Sequence, residues 1–375
     1  DPAVGDIVHL PTGVKVTAEQ MHAAITDSRI IYVGETHDNP ASHRQELQVL
    51  KAVADRYPGQ VSLGMEMFNT GQQEVLDKWV AGELSEKELL KDSGWYSTWQ
   101  MDFAYYSDLL HYAREAKIPV VGINVSKELR QKVGMHAPAE LDEETRMQLP
   151  EMDLDDPYQK AMAASIFAGH GAGSNMFEAF LRVQTLWDES MAENIVRYMA
   201  GKGQEHRMVV IAGGYHVRHG FGIPRRVYRR MPTSYVLVGS TELVVPADLQ
   251  HKLMDVVLPT FPMVPYDYLE YTEYEKLPGE RVKLGVRMSE DDGKVVVEAV
   301  VPDSAAAIAG VEAGDIIVAL DETPIEENFD LIYAVNQHVK GDRSKLTIDR
   351  GGERLELDVT FIPLPMTMKG HGQGK

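Results

Sequence analysis

The sequence predicts an α/β domain built on a parallel sheet flanked by helices, with a helical-bundle insertion, followed by a small, mostly β domain. Two observations carry the first part: apolar segments rich in Val and Ile without polar alternation, and amphipathic helical stretches between them. Continuous apolar strands are buried on both faces, the signature of a parallel sheet covered by helices. A third observation carries the second part. Beyond residue 280 the strand–helix rhythm gives way to short alternating strands separated by Gly and Asp turns.

Five segments supply the predicted sheet: "RIIYVG" (29–34), "VSLGME" (61–66), "IPVVGIN" (118–124), "RMVVIAGG" (207–214) and "SYVLVG" (234–239). Between the first two, "PASHRQELQVLKAVADRY" opens on Pro40 and spaces Leu47, Leu50 and Val53 at helical intervals, a proline-led amphipathic helix. "FAYYSDLLHYAREAKI" precedes the third segment in the same way. Repeated strand–helix–strand units give right-handed crossovers in one sheet. After Asn124 the rhythm stops, and residues 126–203 read as the helical insertion, with "DEETRMQLPEMDLDDP" as its acidic connector. The expected division is 1–263 for the α/β domain, 264–280 for a Tyr- and Pro-rich linker, 281–363 for the β unit and 364–375 for a flexible tail.

Composition narrows the chemistry. The 375 residues allow two or three units. A net charge of −20 argues against a nucleic-acid partner, which requires clustered cations. With no cysteine, disulfides, thiolate metal sites, iron–sulfur clusters and cysteine nucleophiles are excluded. No apolar run approaches the length that spans a bilayer. The opening "DPAVGD" lacks a methionine, as a mature or trimmed form would. A removed export signal or lipid anchor would leave no trace here.

Ligands of open parallel sheets collect at the carboxyl ends of the strands. There the first strand runs into Glu35 and His37, the second into Glu66, the third into Asn124, and the fourth into Tyr215 and His216. Two carboxylates and two imidazoles on neighbouring strand ends suit a divalent metal ion or a general acid–base pair, with Glu35, His37, Glu66 and His216 in either role. The plainer alternatives are that Glu35 and His37 cap the helix opening near Pro40, and that Glu66 is a buried ion-pair partner. The 18 methionines are scattered and suit packing better than copper.

"VGETHDNPASHRQEL", "GMEMF", "FLRVQTLWDESMAENI" and "IAGGYHVRHGFGIPRR" resemble the ChaN family of bacterial haem-binding, iron-uptake lipoproteins. That family shares a superfamily with the Tiki metalloproteases, the TraB proteins and the erythromycin esterases. The superfamily's shared Gly-Glu-x-His and Gly-x-x-His motifs fall on Glu35, His37 and His216. The resemblance implies haem held between paired subunits by tyrosine and histidine contacts, and a place in the periplasm or at the outer membrane. Candidate haem contacts are Tyr105 and Tyr106 in "GWYSTWQMDFAYYSDLLHY", His170 in "FAGHGAGSNMF", and Tyr215. The hydrolase relatives imply instead a metal-dependent hydrolase using the Glu and His cluster.

"VKLGVRMSEDDGKVVVEAVVPDSAAAIAGVEAGDIIVALDETPI" resembles a bacterial PDZ domain. The resemblance puts Leu284, Gly285 and Val286 in the carboxylate-binding loop and "FDLIYAVNQHV" on the opposite wall of a peptide groove. Such a groove takes the C-terminus of a peptide or protein as an added strand. The expected whole is a haem- or iron-binding envelope protein with a partner-docking PDZ domain. A metal-dependent hydrolase is the alternative.

Overall fold

A computed structural model describes residues 1–169, 176–252 and 256–364. The protein forms two compact units, Asp1–Lys276 and Leu277–Lys375. His170 and the tail beyond Leu364 lie outside the described residues.

In the first unit the described residues form an eight-stranded sheet. Its centre is the predicted set: β3 (Ile30–Glu35), β4 (Val61–Asn69), β5 (Val120–Asn124), β6 (Arg207–Gly213) and β7 (Tyr235–Val244). These strands are mutually parallel, in the order β7-β3-β6-β4-β5. Every residue of β3 and β6 is buried, as unbroken apolar runs require when both faces are covered.

Three further strands extend the sheet beyond the prediction. β8 (Tyr268–Glu273) lies parallel to β7, and β1 (Ile7–His9) runs antiparallel to β8 and to β2 (Val14–Val16). The stretch expected as a linker from residue 264 therefore belongs to the first unit through Lys276. Tyr266 within it is buried, and its hydroxyl donates to the Gly214 carbonyl at 3.4 Å. Tyr266 and Tyr274 are buried and Asp267 and Glu270 are hydrogen-bonded to the rest of the unit, contacts that composition alone does not reveal.

α1 (Pro40–Arg56) follows β3. Its cap is Asn39, whose side chain accepts from the Ala41 N–H at 3.1 Å. Glu35 and His37 are thus not needed as caps. Between β5 and β6 come α2 (Lys127–Met135), α3 (Pro157–Gly169) and α4 (Phe177–Ala200), with no strand among the described residues. α4 is more than an appendage. Its Met191, Ala192, Ile195 and Met199 join Tyr32, Ile123 and Val210 of the sheet in one core. α5 (Gly214–Val217) and α6 (Ile223–Arg230) follow β6.

The second unit is an antiparallel sheet with two short helices. Its strands are β9 (Val286–Asp291), β10 (Lys294–Val300), β11 (Ile316–Leu320), β12 (Thr323–Pro324), β13 (Arg343–Arg350) and β14 (Glu353–Thr360). They run in the order β14-β13-β11-β10-β9, with β12 on β11. α7 (Ala305–Ala309) and α8 (Asn328–Asn336) close the core of Val295, Val297, Ile317, Leu346, Ile348 and Phe361.

Candidate functional site

The site assembles where β3, β4 and β6 end. Glu35, the last residue of β3, pairs in register with Gly213 at the end of β6. Glu66 lies where β4 leaves its regular pairing, and its Oε2 accepts from the Gly213 N–H at 2.7 Å. A Cβ at Gly213 would stand 3.0 Å from His37 Nε2 and 3.6 Å from Glu66 Oε2. The absent side chain lets the two groups share one space.

His37 Nδ1–H donates to Glu35 Oε1 at 2.7 Å, and the Tyr106 hydroxyl donates to the same oxygen at 3.3 Å. The Glu35 side chain is inaccessible, whereas that of His37 is 38% exposed with its ring edge-on to Trp99 at 5.0 Å. Burial opposes charge on His37. The carboxylates of Glu35, Glu66 and Glu46 outweigh it and raise the imidazole pKa to about 9. Burial, then Glu46, push the Glu35 carboxyl up.

Behind this pair, α1 contributes His43 and Glu46. His43 Nε2 lies 3.1 Å from the His37 carbonyl, and Nδ1 lies 3.2 Å from Glu46 Oε2 and 3.4 Å from Glu35 Oε2. Burial lowers the His43 pKa and lifts that of Glu46 to about 8. Among the described residues, Glu35, His43 and Glu46 are the one group of three whose ligand atoms all lie within 4.8 Å.

On the other side, His216 on α5 donates through Nδ1–H to Asp188 Oδ1 of α4 at 2.6 Å, with its Nε2 3.5 Å from Glu66 Oε1. Burial again opposes charge, but Glu66 and Asp188 carry the His216 pKa to about 9. Asp188 Oδ2 accepts from Gln159 Nε2 at 2.5 Å, and Gln159 Oε1 accepts from Arg226. Arg226, Arg229 and Arg230 of α6 converge on buried Glu189, at 3.1, 3.2 and 2.7 Å. A run of polar contacts thus leads from the strand ends into the packing of α4 against α6.

The structure brings Glu35, His37, Glu66 and His216 to one edge, as two imidazole–carboxylate sets rather than one tight four-ligand cluster. Tyr106 is buried against Glu35, and its hydroxyl pKa is driven well up by burial. It orients the carboxylate and does not face outward. Tyr105 is half-buried with its ring 5.3 Å from that of His43. Tyr215 is half-buried and packs with Phe221, Phe180 and Phe261. Sequence reasoning missed His43, Glu46, Asp188 and Glu189. The available signal was helical phase: His43, Glu46, Leu50 and Val53 share the buried face of α1.

In the second unit, Leu284 belongs to the core, and β9 begins at Val286. Among the described residues β9 is the sheet's edge, pairing with β10 alone, with α8 packed beside it. Gly285 has φ +87°, and a Cβ there would stand 2.2 Å from Ser304 Cβ. An unpaired edge ending in this turn can accept an extended peptide.

A family model described as haem-binding uptake, Tiki superfamily, ChaN matches residues 21–227, and a PDZ model matches 282–361. The protein is 24% identical over 251 residues to Protein RETICULATA-RELATED 5, chloroplastic, of Arabidopsis thaliana, covering 61% of this sequence and 33% of that one. It is 37% identical over 70 residues to a probable periplasmic serine endoprotease DegP-like of Pseudomonas putida (strain W619), covering 19% of this sequence and 15% of that one. It therefore spans a third or less of the length of either relative. A solved structure described as cofacial heme binding to ChaN of Campylobacter jejuni superposes with TM-score 0.55 at 17% identity, over 70% of this protein and 95% of that one. At that identity the likeness shows the fold.

Proposed function

The protein belongs to the ChaN family of haem-binding uptake proteins in the Tiki superfamily, and from that premise we propose that its first unit binds haem over the ends of β3, β4 and β6. The observation that carries this reading is His37. It is the half-exposed imidazole of the cluster, its Nδ1 is held by Glu35, and its ring edge meets Trp99. A carboxylate on one ring nitrogen fixes the ring and raises the basicity of the other. The other imidazole nitrogen of His37 would hold the haem iron. Trp99 supplies apolar contact for a flat macrocycle. Tyr105 and Tyr215 are the half-buried phenols that remain as further contacts.

The PDZ domain takes a peptide C-terminus between β9 and α8 in this proposal. An envelope location and a paired assembly around haem belong to the same reading. The 70-residue likeness to a probable periplasmic endoprotease supports the location. Hemin titration of the apoprotein tests the central claim. A saturable, shifted Soret band that His37→Ala removes is expected, and absence of a saturable band overturns the reading.

One observation favours a second reading, hydrolysis. Asp188, His216 and Glu66 form a buried carboxylate–imidazole–carboxylate relay, the arrangement that positions a general base. Hydrolysis abolished by His216→Ala while hemin binding persists would select it.

A further inference from the structure

We propose that Glu35, His43 and Glu46 form a buried site for a small divalent transition-metal ion of the zinc class, behind the haem-binding face and joined to it through Glu35. The neighbours of His43 fix its tautomer. The His37 carbonyl can only accept a hydrogen bond, so His43 Nε2, 3.1 Å away, carries the hydrogen. A neutral His43 then turns a lone pair at Nδ1 toward Glu46 Oε2 and Glu35 Oε2. Three acceptors face one another, and one positive centre is needed between them.

The distances separate this group from its neighbours. His37–Glu35 and His216–Asp188 are 2.7 and 2.6 Å apart, the lengths of charge-assisted hydrogen bonds. His43 Nδ1 stands off at 3.2 and 3.4 Å. Two ligands about 2.0–2.1 Å from a tetrahedral metal are about 3.3–3.4 Å from each other. Apart from the contact between the two carboxyl groups themselves, Glu35 Oε2 and Glu46 Oε1 have no hydrogen-bond partner among the described residues. Both side chains are 0% exposed, where an unmatched carboxylate oxygen is costly.

The surroundings are those of a supported metal centre. The His37 carbonyl holds the far nitrogen of His43, while Tyr106 and His37 hold the other oxygen of Glu35. Such outer partners fix the tautomer and the orientation of metal ligands. One nitrogen and two carboxylates suit zinc, manganese or ferrous iron better than copper(I). The competing occupant is a proton shared by the two carboxyl groups.

The test uses the full-length protein without hemin. After chelator treatment and dialysis, the protein is titrated with zinc and, separately, with cobalt(II), and bound metal is measured by elemental analysis. One equivalent bound, with intense visible cobalt bands typical of low coordination, is expected. Glu46→Gln and His43→Ala should each abolish it. Because either variant could fold poorly, thermal unfolding is recorded with and without zinc; zinc should raise the midpoint of the wild type and leave that of folded Glu46→Gln unmoved. Three results overturn the proposal: no bound metal, metal retained in Glu46→Gln, or metal lost only in His216→Gln, which would put the ion at Glu66. The hemin titration is read independently, so the two claims stand or fall separately.

Discussion

Asp188 Oδ1 lies 2.6 Å from His216 Nδ1, joining the middle of the longest helix in the insertion to the turn after β6. Both side chains are buried, so the imidazole is charged only because Asp188 and Glu66 surround it. Asp188→Asn should lower the His216 pKa from about 9, read from imidazole resonances in a pH titration. Loss of a charge-assisted bond should cost about 1.5–3 kcal/mol in urea unfolding.

The metal-free fold should lose stability as pH rises through neutrality. His37 and His216 ionise near 9 when folded, against 6.5 in the unfolded state. The folded state binds the extra protons, so their stabilisation is full below 6.5 and gone above about 9. Glu46 acts with the same sign at lower pH: it keeps its proton to about 8 when folded, against 4.5 unfolded. Unfolding free energy measured across this range should therefore decline, and less steeply in Glu46→Gln between 4.5 and about 8.

Haem affinity should run the other way. An imidazole with a pKa near 9 must release a proton before it can bind iron. The hemin dissociation constant should fall as pH rises from neutrality toward 9, and proton release on binding should be measurable in a weakly buffered titration. A flat profile would remove His37 as the ligand.

Glu189 is 0% exposed and receives three guanidinium groups, of which Arg226 is itself 2% exposed. Glu189→Gln leaves a buried cation short of its counter-charge. It should cost about 3–5 kcal/mol, measured by chemical denaturation. Loss on this scale would show that the α4–α6 contact is held by charge as well as by packing.

In the PDZ domain, Gly285→Ala adds a Cβ at φ +87°, 2.2 Å from Ser304 Cβ. The turn before β9 must shift, and affinity for peptides ending in a free carboxylate should fall at least about tenfold, a loss of about 1.4 kcal/mol. Fluorescence anisotropy would report this. An amidated peptide should already bind weakly to the wild type.

The central strands were readable because burial on both faces leaves an unmistakable pattern: Ile30, Ile31, Tyr32 and Val33 tolerate no polar neighbour. β1, β2 and β8 escaped notice for the opposite reason. They are short or half-covered, and "YLEYTE" places acids beside tyrosines. Glu35, His37, Glu66 and His216 could be named in advance because they follow apolar strands, where the fold exposes chemistry. His43, Glu46 and Asp188 sit inside helices, where a charged residue ordinarily signals a solvated face. Only the phase of the helix distinguishes their buried side, and the sequence phase built on Leu47, Leu50 and Val53 missed it; Leu47 is only half-buried.

The position of β8 has a consequence for the order in which the first unit is assembled. β1 borders β8, so Ile7 waits for Glu270, its register partner, while the polypeptide between them is made. A polypeptide emerging N-terminus first can pair β4 with β5 early, but β3 waits for β6 and the β1–β2 hairpin has no docking edge until β8 is made. Closure over so long a loop is slow, and domains of this size commonly fold through intermediates during synthesis. Strands β1 and β2 are thus among the last elements of the unit to be secured.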